Sequence, residues 1–316
     1  MHPALSVILF STLSGAGFGL LFLVGAGYAR GPLALSREYA LIPLVAGSLL
    51  AIAGLLASVF HLGHPERAWR AFSQWRSSWL SREGIAAVAA FVPVAWLVLL
   101  VWHGRTGTPS QLAGAATAVL SALTVFCTAR IYTSLRTIEG WRDAHVLPAF
   151  ALIGLLTGAL WLWSLLSLAE WTLPRTGALA LAVLAAATGV LKLHYWRGLD
   201  RAPPAATPGS ATGLAHLGTV RAFEAPHTER NYIAREMGFV LARRHAQRLR
   251  LIALVLLAAV PAGFALLAAA SARGDRPLAW AALVAATLGA FVERWLFFAQ
   301  ARHVVTAFYG AQGETS

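Results

Sequence analysis

The chain is written in long apolar blocks separated by shorter polar ones. Blocks of about 20 predominantly apolar residues, the length at which a helix crosses a bilayer, fall at roughly 4–28, 39–61, 84–102, 111–129, 146–168, 173–195, 249–271 and 277–299. The pattern predicts an all-α integral membrane protein. It is a bundle of eight transmembrane helices forming a single membrane domain over 1–316, with both termini on one side. The first block follows Met1-His2-Pro3 with no basic stretch or twin-arginine pair ahead of it, so it reads as a retained span rather than a cleaved signal. Gly15, Gly17 and Gly19 in the first span, and the Ala/Gly-rich run from Gly177 to Gly189 in the sixth, are spaced for close approach of helix backbones. Pro43, Pro93, Pro148 and Pro261 mark expected kinks, tolerable where neighbouring helices re-satisfy the freed carbonyls.

The connection between spans six and seven, 196–250, is the only segment long enough to build structure outside the membrane. Its first part, 201–213, is rich in Pro, Ala, Thr and Gly and reads as a flexible linker. Its second part, 228–250, carries Ile233, Met237, Val240 and Leu241 near helical spacing, with Arg235, Arg243, Arg244, Arg248 and Arg250 among or after them. Two readings fit: a basic amphipathic helix on the membrane surface, or a docking face for a partner subunit.

Composition narrows the picture further. The protein is 58% hydrophobic and only 12% charged, about half the charged share of a soluble domain, so its surface faces membrane lipid. The net charge is +12, but the basic residues are sparse and lie between apolar blocks, so no nucleic acid partner is expected. Of the Lys and Arg residues, about 19 fall on the side of the N-terminus and about six on the other. The positive-inside rule then puts both termini in the cytoplasm of a bacterium, with the protein in its inner membrane. The single cysteine, Cys127, leaves no intrachain disulfide and no cysteine-ligated iron–sulfur cluster. His61, His103, His145, His194 and His303 sit at or beyond block ends, which disfavours a haem held by two axial histidines within the apolar region. No metal site is expected. The spans carry almost no ionisable residues near their midpoints, which weighs against an ion-coupled transporter. Several of the 12 tryptophans lie at block ends and suit the headgroup layer.

The densest polar cluster joins spans two and three: His61, His64, Glu66, Arg67 and Arg70, then Arg76, Ser77, Trp79, Arg82 and Glu83. A span that ends in His and a span that begins in Ser-Arg-Glu place an imidazole and a carboxylate at one depth. That pair suits a quinone head group, which needs an apolar pocket, donors for two carbonyl oxygens and titratable neighbours for two protons. The alternative is that Arg67, Arg70, Arg76 and Arg82 only anchor the protein to lipid phosphates, with Glu66 and Glu83 as local counter-ions. Arg130 and Tyr132 at the end of span four form a second candidate, with Tyr132 bonding a carbonyl and Arg130 facing phosphate or a partner. Its alternative is an ordinary aromatic and basic anchor.

These residues carry a resemblance. The start His2-Pro3-Ala4-Leu5-Ser6, the stretch from His61 to Trp69, the stretch from Arg76 to Glu83 and Ala129-Arg130-Ile131-Tyr132 resemble the membrane anchor subunit family of dimethyl sulfoxide reductase. The resemblance implies a subunit without catalytic residues, haem or iron–sulfur cluster of its own. It would hold an iron–sulfur electron-transfer subunit and a molybdopterin catalytic subunit at the membrane and exchange electrons with ubiquinone or menaquinone. It also implies that His61 and Glu83 lie at the quinone site, His61 as proton acceptor or donor and Glu83 as the proton-path carboxylate. The long connection containing His227-Thr228-Glu229-Arg230-Asn231-Tyr232 is similar to that of family variants serving a cytoplasm-facing sulfite dehydrogenase, which pass electrons from sulfite to quinone. The other readings are an anchor that oxidises menaquinol for dimethyl sulfoxide reduction, a transporter and a haem-bearing cytochrome subunit.

Overall fold

The computed structural model describes residues 5–31, 36–60, 64–203, 206–220, 223, 245–270, 275–301 and 303–304. Eight helices within these residues are long and apolar enough to cross a bilayer: α1 (Leu5–Arg30), α2 (Arg37–Val59), α3 (Trp79–Trp102), α4 (Thr108–Thr133), α5 (Val146–Leu166), α6 (Arg175–Arg201), α7 (Ala246–Ala270) and α8 (Arg276–Ala299). Among the described residues no strand forms, and a single bridge pairs Ile138 with His303. Outward-facing Leu49, Val92, Val119, Val183 and Leu267 present an apolar surface suited to lipid.

α1 is the hub, packed against α2, α4 and α5. Its glycines permit this. A Cβ at Gly17 would lie 2.5 Å from the Ala51 nitrogen of α2, and one at Gly19 would overlap the Gly154 carbonyl of α5. Small residues thus bring backbones together where the hydrophobic effect supplies no force between helices. One core joins Phe18, Leu21, Leu44 and Leu97 across α1 to α3, and a second joins Leu156, Trp163, Leu257 and Leu283 across α5, α7 and α8. Within α7 an i→i+5 turn at Val255–Ala259 precedes Pro261. The missing proline N–H and the clash of its ring with the carbonyl four residues back account for the widened turn.

Several boundaries differ from those read in the sequence, and three of them bear on the polar residues. α3 starts at Trp79 because Ser78 caps it, accepting from the Ser81 N–H at 3.4 Å, so Glu83 lies inside the helix. α6 runs on to Arg201, so the start of the expected connection, 196–201, is helix and only Arg201 of the expected linker belongs to it. The rest of that linker contains a helical turn, Pro208–Thr212, fixed by a reciprocal cap between Thr207 and Ser210. α7 begins at Ala246, so Arg248 and Arg250 belong to the span rather than to a surface helix. The remainder of the expected amphipathic helix lies outside the described residues, apart from His245.

Candidate functional site

The ends of α3, α4, α5, α6 and α8 on the side where α1 begins carry the polar chemistry. The connection from α2 to α3 contains a ten-residue 3₁₀ helix, Pro65–Gln74, opened by its proline. The first turn of α3 pins the connection down. Ser81 Oγ donates to the Ala71 carbonyl, and Arg82 donates through Nε to the Trp75 carbonyl (2.9 Å) and through Nη2 to the Arg76 carbonyl (2.6 Å).

These bonds turn Glu83 inward, where it is 4% exposed. Thr128 of α4 donates its hydroxyl to Glu83 Oε1 at 2.6 Å, and the same hydroxyl lies 3.0 Å from the Thr124 carbonyl. Among the described residues no Lys, Arg or His makes an ion pair with this carboxylate. A buried carboxylate served by a hydroxyl rather than a cation carries a desolvation cost that packing does not require.

The other residues singled out in the sequence divide. The Arg82 and Arg130 guanidiniums both lie over the Trp79 ring, 4.3 and 4.9 Å from its centroid, and Trp79 meets Phe126 edge-on. His64 and Arg67 are exposed and both turn to Glu66, at 3.0 and 3.7 Å. Arg76 and Ser77 are exposed as well. Tyr132 is buried in an aromatic box with Trp141, Phe150, Phe297 and Phe298, so it faces rings rather than a free apolar pocket. His61 lies outside the described residues. The structure therefore brings Glu83 close to the Trp79–Arg82–Arg130 stack and leaves His64, Arg67, Arg76 and Ser77 on the surface.

Away from their midpoints, α6 and α8 do carry buried charge. Lys192, Glu293 and Arg294 are 2%, 1% and 2% exposed. Lys192 Nζ lies 2.6 Å from Glu293 Oε1, and Arg294 Nε lies 2.7 Å from Glu293 Oε2. Lys192 also faces the rings of Tyr195 and Trp196, at 3.9 and 4.9 Å, and Arg294 lies 3.8 Å over Phe150. In the sequence all three lie inside the apolar blocks 173–195 and 277–299, and Lys192 and Arg294 enter the count of basic residues on the side of the N-terminus. Lys192 and Arg294 belong to the spans, so they no longer add to the basic loops on the side of the N-terminus. The signal that reveals them is helical phase. A charge that continues the buried face of a span is inside it, however near the end. Among the described residues no group of three or more His, Cys, Asp or Glu is placed to hold a metal ion.

A family model described as DMSO reductase anchor subunit (DmsC) matches residues 1–300. The protein belongs to this family. Among curated relatives, the C subunit of sulfite dehydrogenase from Allochromatium vinosum is 33% identical, across 98% of this sequence and 99% of the relative. The YnfH polypeptide of an anaerobic dimethyl sulfoxide reductase from Escherichia coli is 29% identical over 60% of this sequence and 67% of the relative. The C polypeptide of anaerobic dimethyl sulfoxide reductase from the same organism is 33% identical over 41% and 48%. Family membership, rather than a lack of buried charge, is what speaks against a transporter. The protein is a multi-pass membrane anchor subunit.

Proposed function

We propose that this anchor is the quinone-reactive subunit of a molybdopterin and iron–sulfur oxidoreductase in a bacterial inner membrane, and that it passes electrons from sulfite oxidation to the quinone pool. The observation that carries the reading is Glu83: a buried carboxylate at the head of α3, bound to Thr128 and paired with no cation among the described residues. Quinone reduction takes up two electrons and two protons, and a carboxylate poised at the edge of the apolar layer is suited to deliver one of those protons. His61, at the end of the preceding span, is assigned the other. The Trp79 ring, with the Arg82 and Arg130 guanidiniums over it, supplies an amphipathic wall at the depth where a quinone ring would lie.

The anchor itself contributes no catalysis of the sulfite reaction and no cysteine-ligated cluster. Its partners are an iron–sulfur subunit and a molybdopterin subunit, docked on the face where the α2–α3, α4–α5 and α6–α7 connections emerge, with the termini on the cytoplasmic side. Sulfite is favoured as donor by the relative from Allochromatium vinosum, which matches from end to end. The relatives named for dimethyl sulfoxide reductases match over smaller parts of the sequence and support a second reading, menaquinol oxidation for dimethyl sulfoxide reduction. Membranes carrying the whole complex separate the two. Sulfite-dependent quinone reduction that is lost in His61→Ala, with dye-linked sulfite oxidation retained, supports the first. A complex inert to sulfite that oxidises menaquinol with dimethyl sulfoxide supports the second.

A further inference from the structure

The arginines between α2 and α3 do not share one role. Arg82 donates to the Trp75 and Arg76 carbonyls and so ties the connection to α3. Arg67, Arg70 and Arg76 are exposed. Arg67 lies 3.7 Å from Glu66, whose carboxylate also meets His64 at 3.0 Å, and among the described residues Arg70 and Arg76 form no ion pair.

The 3₁₀ helix that carries them, Pro65–Gln74, has ten residues, longer than the three or four at which such helices usually stop. Its sequence repeats at the period of its geometry. With three residues per turn, positions three apart eclipse one another. Trp69, Phe72 and, just past the end, Trp75 therefore form one row, and Arg67, Arg70, Ser73 and Arg76 form a second. The third row holds Ala68 and Ala71, the half-buried residues of the helix, and the Ala71 carbonyl accepts from Ser81 Oγ. On an α-helix each three-residue step would turn the rows by about 60° and scatter them.

The aromatic row is exposed, Trp69 at 66%, Phe72 at 42% and Trp75 at 52%. Phe72 rests on Gly84, where a Cβ would lie 3.1 Å from its ring. Gly84 stands one turn from Leu80 and one turn from Val88, on the face of α3 that Val92 continues, and all three are exposed apolar residues. The row thus runs into a stripe of α3 suited to lipid. Beside it, the Arg70 and Arg76 guanidiniums lie over the Trp69 and Trp75 rings at 5.6 and 5.4 Å.

We propose that this 3₁₀ helix lies in the plane of the membrane surface and binds anionic phospholipid. The aromatic row sits at the boundary of the acyl chains, and Arg67, Arg70 and Arg76 hold headgroup phosphates. Their charge exceeds that of Glu66, a surplus that a zwitterionic headgroup does not neutralise. A soluble partner subunit fits this face less well, because the aromatic row is continuous with surface that lipid covers. The proposal stands whether or not Glu83 serves a quinone.

The test uses the whole purified complex in a nonionic detergent, titrated with phosphatidylglycerol or with phosphatidylcholine of the same acyl chains, with bound lipid counted by native mass spectrometry. Wild type is expected to bind phosphatidylglycerol at least tenfold more tightly. Arg70→Gln with Arg76→Gln should weaken phosphatidylglycerol about fivefold per guanidinium removed, leave phosphatidylcholine within about twofold and keep all subunits together. Trp69→Gln with Trp75→Gln should weaken both lipids alike. Equal binding of the two lipids by wild type, or an unchanged preference in the arginine variant, would overturn the proposal. Loss of the iron–sulfur subunit from the arginine variant with phosphatidylglycerol binding intact would overturn it too, and would assign the face to a protein partner.

Discussion

Thr128 Oγ1 donates to Glu83 Oε1 at 2.6 Å across the α3–α4 interface, and this one bond ties the buried carboxylate of α3 to α4. Its loss leaves an acceptor without a donor in an apolar layer. Thr128→Val is therefore predicted to lower the stability of the detergent-solubilised subunit by about 1–3 kcal/mol, read as a fall in the midpoint of thermal unfolding. Thr128→Ser should retain the wild-type midpoint.

Removal of Glu293 strands two buried cations. Glu293→Ala is predicted to cost about 3–5 kcal/mol. Lys192→Met should cost clearly less, because Glu293 keeps its 2.7 Å contact with Arg294 and the methionine stem still fills the space. Thermal melts of the two variants side by side check the order, and equal losses would contradict it.

The α1–α2 contact has no room for a side chain at Gly17, where a Cβ would meet Ala51 N at 2.5 Å. Gly17→Leu is predicted to separate the two helices and lower stability by about 1–3 kcal/mol or more. Disulfide trapping between cysteines introduced across this interface should fall with it.

At the opposite end of the bundle Asp275 accepts from Trp163 Nε1 at 2.9 Å and from the Leu173 N–H at 3.0 Å. Trp163→Phe removes one of these bonds and is predicted to cost about 1–3 kcal/mol. Quinone-linked turnover of the assembled complex should be unchanged, since no residue of the proposed site lies at that end.

The eight spans were legible in the sequence because an apolar run of helix length has almost no other use. Glu83 was legible because it stands beside Ser81 and Arg82 at the start of a span, where a carboxylate has little reason to be. Thr128 was not, since a threonine within an apolar helix usually bonds its own backbone, as Thr157 does with Ile153. The ion triad was not legible because its members lie in two spans far apart in the sequence, and nothing in either apolar block says that Lys192 and Glu293 face each other, as they do at 2.6 Å. The roles given to His64, Arg67 and Tyr132 rested on proximity in sequence. The 3₁₀ helix instead turns His64 and Arg67 to Glu66, and aromatic packing encloses Tyr132.

The most direct measurement compares wild type and Glu83→Gln in the purified complex, following sulfite-dependent quinone reduction beside sulfite oxidation with a soluble dye. Glutamine keeps the bond to Thr128 and the shape of the site but carries no titratable proton. Quinone reduction is predicted to fall by about 10²-fold or more while dye-linked oxidation stays at the wild-type rate. Quinone reduction at the wild-type rate in Glu83→Gln would contradict it, and Glu83 would then be a buried structural acceptor for Thr128.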